Sequence, residues 1–247
     1  MAALTAAGPV LVHFFDPTQL NSVRALPYIQ EWDRRYSGLS LTTLAIHSPR
    51  FGFTADADVA TDAIERLGVG HPVALDVDYA IWHDYGTKGW PSLFLWGQGG
   101  ALRWAHYGEG EYRATEEAIQ DELRLADISV ELPPVMEPLR PTDAPGALVP
   151  VPTPEVLPGG SPATPWTPRA GGELMAIEYS AGEAWVVAEG EGEVGVSVDG
   201  EPEPSIVIPP AGLHKLSGSG PHESHRIALE VPDGVRIWAI TFAAGTP

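Results

Sequence analysis

Between Pro133 and Pro168 the chain carries prolines at positions 133, 134, 138, 141, 145, 150, 152, 154, 158, 162, 165 and 168. Proline fixes φ and has no amide hydrogen, so this stretch can form neither a helix nor a central strand. It predicts an extended, partly polyproline-II linker over residues 131–170, draped over a domain. The linker separates an N-terminal domain, residues 1–130, from a C-terminal domain, residues 171–247.

Two bulk properties limit the chemistry. The 247 residues include no cysteine, which excludes disulfides, thiolate nucleophiles, iron–sulfur clusters and cysteine-based metal sites. The formal net charge is −19, which argues against nucleic acid as a partner, since that surface requires clustered Lys and Arg. No apolar run approaches the roughly 20 residues that span a bilayer, so no membrane partner is expected. No basic and apolar leader precedes the first strand-like run at Val10, and the reading is cytoplasmic, although a chain trimmed of its signal would look the same.

The N-terminal segment alternates strand and helix. Val10 to Phe15 is a near-continuous apolar run of the kind found in buried central strands. Leu26, Ile29, Trp32 and Tyr36 follow at helical spacing within a helix read over Val23 to Tyr36. Leu41 to Ile46 reads as the next strand, and Ala60, Ala63, Ile64 and Leu67 mark one helix face. After Pro72 to Leu75 comes a short aromatic helix from Tyr79 to Tyr85. Ser92 to Trp96 and Leu102 to Tyr107 flank Gly97-Gln-Gly-Gly100 as a hairpin, and Tyr112 to Leu125 closes the domain as a helix. This is an α/β layout. Trp82, Tyr85, Trp90, Trp96, Trp104 and Tyr107 form a dense aromatic set within it.

The C-terminal segment reads as all-β. Short runs at Leu174–Tyr179, Ala184–Ala188, Val194–Val198, Ser205–Ile208, Arg226–Val231 and Arg236–Phe242 alternate apolar and polar residues. Asp199-Gly200 and Asp233-Gly234 supply turns. The pattern predicts an antiparallel β-sandwich.

Five motifs in order carry a resemblance. VLVHFFDPTQLNSVRALPY (Val10 to Tyr28), AIHSPRFGF (Ala45 to Phe53), HPVALDVDYAIWHDYG (His71 to Gly86), Gly89-Trp90-Pro91 and HYGEGEY (His106 to Tyr112) resemble thioredoxin-like proteins of the TlpA/DipZ redoxin type. The match covers about residues 9–125. TPEVLPG at Thr153, VSVDG at Val196 and the closing IWAITF are similar to the β-sandwich, itself like a carbohydrate-binding module, that follows the redoxin domain in DipZ-like proteins. The resemblance therefore implies a thioredoxin-like α/β fold joined by the Pro-rich linker to a β-sandwich.

In that family a Cys-x-x-Cys pair lies where the first strand meets the first long helix. Gln19 and Ser22 occupy those positions here, so the resemblance implies a member without thiol–disulfide exchange. Pro91 takes the family's cis-proline position, and Trp90 before it would present backbone groups to an extended peptide. The binding residues implied are Gln19, Leu20, Asn21, Ser22, Trp90 and Pro91, with a protein or extended peptide as partner. His13 stands where the family carries a buried acid and is read as a core residue rather than a base for Ser22, since no third catalytic member accompanies it.

No cofactor and no metal is expected. His214, His222, Glu223 and His225 lie close in sequence but without a recognisable ligand spacing. A competing reading places activity in the C-terminal sandwich, binding a glycan or other small ligand through Trp166, Trp185 and Trp238.

Overall fold

Val10–Phe15 forms β1, buried at all six positions, because it is the central strand of its sheet and carries side-chain layers on both faces. That environment explains why the run is apolar at every position but His13 rather than alternating. The computed structural model describes residues 3–247, apart from the side chain of Ser219. The chain divides into two units. The first holds the residues up to Arg50 with Thr54–Pro145, and the second holds Phe51–Phe53 with Gly146–Pro247.

In the first unit β1 is followed by α1 (Leu20–Tyr36), β2 (Thr42–His47), α2 (Ala57–Arg66), β3 (Val73–Leu75) and α3 (Ala80–Tyr85). Then come β4 (Ser92–Trp96), β5 (Leu102–Tyr107) and α4 (Tyr112–Ala126). The sheet order is β3-β2-β1-β4-β5. β1, β2 and β3 run parallel, whereas β4 and β5 are antiparallel additions. This is the thioredoxin-like α/β arrangement. Leu11, Leu93 and Leu95 pack with Ile29, Trp32 and Tyr36 of α1 and Ile119 and Leu123 of α4 on one face. Val12, Phe14 and Phe94 face Ile81, Trp82 and Tyr85 of α3 on the other. The aromatic set therefore serves largely as packing.

Residues 131–145 lie along the first unit as a strap, irregular apart from one 3₁₀ turn at Pro141–Asp143. Two clamps hold it. At the first, the Glu116 carboxylate is 1% exposed. It accepts from the Tyr36 hydroxyl at 2.6 Å, from the Met136 amide at 2.9 Å and from Arg35 at 3.3 Å. Burial, with Glu116 as the next cause, pushes the Tyr36 hydroxyl up to about 12, so it remains a donor. Gln120 and Arg35 donate to the carbonyls of Pro133 and Pro134, which proline leaves free to accept.

At the second clamp, the Tyr28 and Tyr112 rings stack with centroids 3.7 Å apart, and the Arg140 guanidinium sits 5.8 and 5.9 Å from their centroids. Arg140 also donates to Glu109 at 3.0 Å, pairs with Asp143 at 2.9 Å, and reaches the Arg24 carbonyl. Tyr28 donates to Asp143 at 2.8 Å and accepts from the Leu139 amide at 2.7 Å.

The second unit is a five-stranded antiparallel sheet of β6 (Glu173–Gly190), β7 (Gly192–Val198), β8 (Glu201–Ile208), β9 (Gly212–Val231) and β10 (Val235–Ala243). Its strand order is β10-β6-β9-β7-β8. The runs read separately as Leu174–Tyr179 and Ala184–Ala188 belong to one strand, and Arg226–Val231 is the end of a 20-residue strand. Register shifts at Ala181/Glu183 and Ile237/Ala239 switch the buried positions from odd to even. Tyr179 and Ala181 consequently share one core with Ala184, Val186 and Ala188. An extra residue at each bulge keeps one face apolar along a bent strand. Pro202 and Pro204 fall in β8, which starts earlier than the apolar pattern suggests; as the edge strand it tolerates missing amides.

Residues 146–168 flank β10, where Val156 bridges to Ile240 and Trp166 to Ile237. On the far face of the sheet, Phe51, Phe53 and Leu157 gather with Val187 and Trp238.

Gly182 sits at the β6 bulge. A Cβ there would lie 2.3 Å from the Gly245 Cα and 2.6 Å from its nitrogen, both backbone atoms. Gly182→Ala is expected to lower the stability of the second unit by about 1–3 kcal/mol, as overpacking does. Thermal unfolding of the full chain, followed by a probe in the C-terminal sheet, measures it; an unchanged midpoint would refute the close approach.

Candidate functional site

Gln19 and Ser22 straddle the start of α1. The helix begins at Leu20, three residues before the apolar spacing indicates, and Gln19 is its N-cap in extended conformation. Gln19 caps through its backbone only, accepting from the Val23 amide at 3.0 Å, and its side chain makes no capping bond. The amides of Leu20, Asn21 and Ser22 therefore keep the unpaired state typical of a first helical turn. With its amide oxygen turned toward Arg50, Gln19 accepts from that guanidinium.

Of the six predicted binding residues, Gln19 and Trp90 are half-buried and Asn21 is exposed. Leu20, Ser22 and Pro91 are buried. Ser22 is 1% exposed and its hydroxyl accepts from the Asp16 amide at 3.4 Å. A serine so enclosed does not face solvent. The exposed part of the site is thus Gln19, Asn21 and Trp90.

The Trp90–Pro91 peptide bond is cis, and the Pro91 carbonyl accepts from the Gly108 amide at 2.7 Å. The Trp90 indole donates to the Ser48 carbonyl at 2.9 Å and packs on Trp82, with ring centroids 4.6 Å apart. Trp82 is placed by Asp76, whose carboxylate accepts from the Ile81 and Trp82 amides at 2.9 and 2.8 Å. The main-chain amide and carbonyl of Trp90 take no partner among the described residues.

Sequence reasoning overlooked the residue that organises this loop cluster. Asp16 is fully buried and accepts from the amides of Thr18 and Arg50 and the hydroxyls of Thr18 and Thr54. It ties the β1–α1 loop to the loop after β2, which carries Arg50. The available signal was an acid immediately after an apolar central strand, where an unpaired carboxylate would be too costly to bury.

The C-terminal candidates are placed differently. Trp238 is 6% exposed, Trp166 is partly buried on the core, and the Lys215 ammonium lies 5.6 Å from the centroid of the Trp185 ring. His214 contacts the Pro210 carbonyl and His225 pairs with Asp199 at 2.7 Å. Among the described residues no group of three or more His, Asp or Glu is arranged to hold a metal ion.

The geometry defines a class: a domain of thioredoxin-like α/β arrangement in a chain without cysteine. No protein-family model matches the sequence. DipZ proteins of Mycobacterium bovis and Mycobacterium tuberculosis are 32% identical over 124 residues, 50% of this chain and 18% of theirs. NHL repeat-containing protein 2 of Gallus gallus is 30% identical over 102 residues, 41% of this chain and 14% of that protein.

The chain thus spans less than a fifth of the curated relatives it matches. A thiol-disulfide isomerase from Corynebacterium glutamicum superposes with a TM-score of 0.46 at 19% identity, over 49% of this chain and 84% of that one. A secreted disulfide oxidoreductase of Mycobacterium tuberculosis gives 0.41 at 13% identity, over 48% and 85%. The N-terminal domain has a thioredoxin-like arrangement, carries no cysteine and is similar over 124 residues to DipZ. No helix among the described residues is long and apolar enough to cross a membrane.

Proposed function

We propose that this chain is a non-catalytic derivative of a thiol–disulfide oxidoreductase that binds an extended peptide or protein segment at Gln19–Ser22 and Trp90–Pro91. The observation that carries the reading is the unpaired main chain of Trp90. An extended segment pairs with such a free amide and carbonyl by strand addition, which needs no sulfur. The half-buried Trp90 ring, held by Ser48 and Trp82, supplies a rigid apolar contact at little further entropy cost. Gln19 and Asn21 add polar contacts at the rim.

Affinity for a displayed library of random peptides tests the site. Trp90→Ala is expected to weaken selected peptides about tenfold or more, the loss of an aromatic anchor. If Trp90→Ala and Gln19→Ala both leave every selected peptide bound as before, the site is elsewhere. The glycan reading of the C-terminal sheet keeps the half-buried rings of Trp166 and Trp185, the second of which Lys215 already approaches. Retention of a glycan on an array by the full chain, abolished by Trp185→Ala, would favour that reading instead.

A further inference from the structure

His13 lies in the middle of β1 and is 0% exposed. Its Nε2 is 2.7 Å from the Nε2 of His71, with the rings edge to face at 5.0 Å between centroids. His71 belongs to the segment that leads from α2 into β3. The Nδ1 of His13 is buried and has no partner. Neither the peptide-binding reading nor the fold's packing uses this pair.

A separation of 2.7 Å requires one proton between the two Nε2 atoms. If His13 donates it, the His13 Nδ1 is a bare lone pair, the less costly way to leave that atom unpartnered. If His71 donates, His13 must carry its hydrogen on Nδ1, where no acceptor exists. The neutral pair therefore has one good arrangement, His13 Nε2–H to His71 Nε2.

Adding a proton removes that arrangement. A cationic His13 keeps the shared bond but gains an orphaned Nδ1–H. A cationic His71 donates to His13 and forces the His13 hydrogen onto Nδ1, with the same result. Two cations would set two N–H groups against each other. Every protonated state thus combines a buried charge with an unpaired donor or a direct clash.

We propose that the His13–His71 pair is a proton-operated latch that keeps the edge strand β3 on the sheet and opens when the pair is protonated. The way out is through His71, because β3 is three residues long, lies at the sheet edge and has no buried position. It is held to β2 by the Pro72 carbonyl to the Ala45 amide and by the Asp76 amide to the His47 carbonyl. Gln30 of α1 pins the near end of the segment by donating to the Leu67 and Gly68 carbonyls.

The residue after β3 is Asp76, which accepts from the amides of α3 and from Ser48. α3 carries Trp82, which supports Trp90. Opening the latch therefore loosens the support of Trp90, whatever ligand that residue meets.

Few charges surround the pair. His71 faces it from the α2–β3 segment, and Asp33 of α1 is the charge whose field reaches His71. β4 presents Leu93 opposite His13. His47 of β2 lies beyond the Phe15 ring and binds the Thr54 carbonyl.

Burial, and next the neighbouring imidazole, holds His13 well below the ordinary histidine value of 6.5. Burial also lowers His71, which Asp33 partly offsets. Both folded values lie below the free value, so the closed state has its full stability above pH 6.5 and loses it as the pH falls further. Each proton taken up on opening shifts the open-to-closed ratio by up to about tenfold per pH unit.

Amide hydrogen exchange of the full chain, corrected for intrinsic rates, tests this between about pH 7.5 and about pH 5. The expected result is a gain of roughly tenfold or more in exchange at residues 73–76 at the acid end, with β1 and β4 unchanged. His71→Gln, which retains a polar partner but does not titrate, should abolish the pH dependence. Constant protection at residues 73–76, a His71→Gln variant that still opens in acid, or simultaneous loss of protection throughout the domain would each overturn the latch.

Discussion

The double variant Gln19→Cys with Ser22→Cys is expected to reduce insulin disulfides in the presence of dithiothreitol, and the natural chain is expected to show no rate above background. Gln19 is a half-buried N-cap and Ser22 is enclosed one turn into α1. That is the division of exposure an attacking and a resolving thiol require. The first turn of α1 contains no acid, so its free amides and the helix dipole would stabilise a thiolate at position 19. Arg50, already beside Gln19, adds a positive charge.

The thiol at position 19 should therefore ionise below the free value of about 8.5, within the range of roughly 3.5–7.5 found at helix N-termini. Thiolate absorbance against pH measures it. A pair that forms its disulfide yet ionises at or above the free value and turns nothing over would show that the platform itself has changed. Activity would mean that the side chains were lost and the surrounding electrostatics retained.

Glu116→Ala should have the largest effect on stability outside the hydrophobic core. The carboxylate at 1% exposure holds the Tyr36 hydroxyl, the Met136 amide and Arg35 together. Removing it leaves these three donors without their acceptor, and one of them is charged. Deleting one member of a buried ion pair typically costs about 3–5 kcal/mol, and the lower end applies here because Arg35 retains solvent contact. Urea unfolding of the full chain gives the value, and protease digestion should cut first within residues 131–145. A loss below about 1 kcal/mol, the scale of a surface pair, would mean that the strap is held by its apolar contacts alone.

These two cases differ in how much the sequence could reveal. Gln19 and Ser22 were singled out by the resemblance, which sets the family's Cys-x-x-Cys where the strand at Val10 gives way to the first long helix. The strap was legible only as an absence of helix and strand. Its clamps join Arg24 to Arg140 and Tyr28 to Asp143, and neither local propensity nor periodicity reports a pairing over 116 or 115 residues. The same limit hid Asp16, whose four donors come from Thr18, Arg50 and Thr54.

In the C-terminal sheet the alternating pattern identified the strands but divided β6 in two. A bulge reverses the parity of buried positions, and a period-two reading interprets that reversal as an end. Trp166, Trp185 and Trp238 look alike as sequence, yet one is buried in the sheet and another has a cation near its ring.

By itself the sequence determined what this chain cannot do and where it divides. A chain without cysteine has no thiol chemistry, and a run of prolines cannot build a core, whatever surrounds them. It also determined the α/β layout of the first segment, because the order and period of apolar segments are local properties, and its motifs carried the resemblance that implied a thioredoxin-like fold. The tertiary structure decided which residues at the vestigial site meet solvent. Gln19, Asn21 and Trp90 do, whereas Leu20, Ser22 and Pro91 are enclosed. Burial is a property of everything packed against a residue, and those partners are brought in by chain segments far away in sequence. The histidine pair is the same lesson in one bond. His13 and His71 are 58 residues apart, and only the folded sheet makes them share a proton.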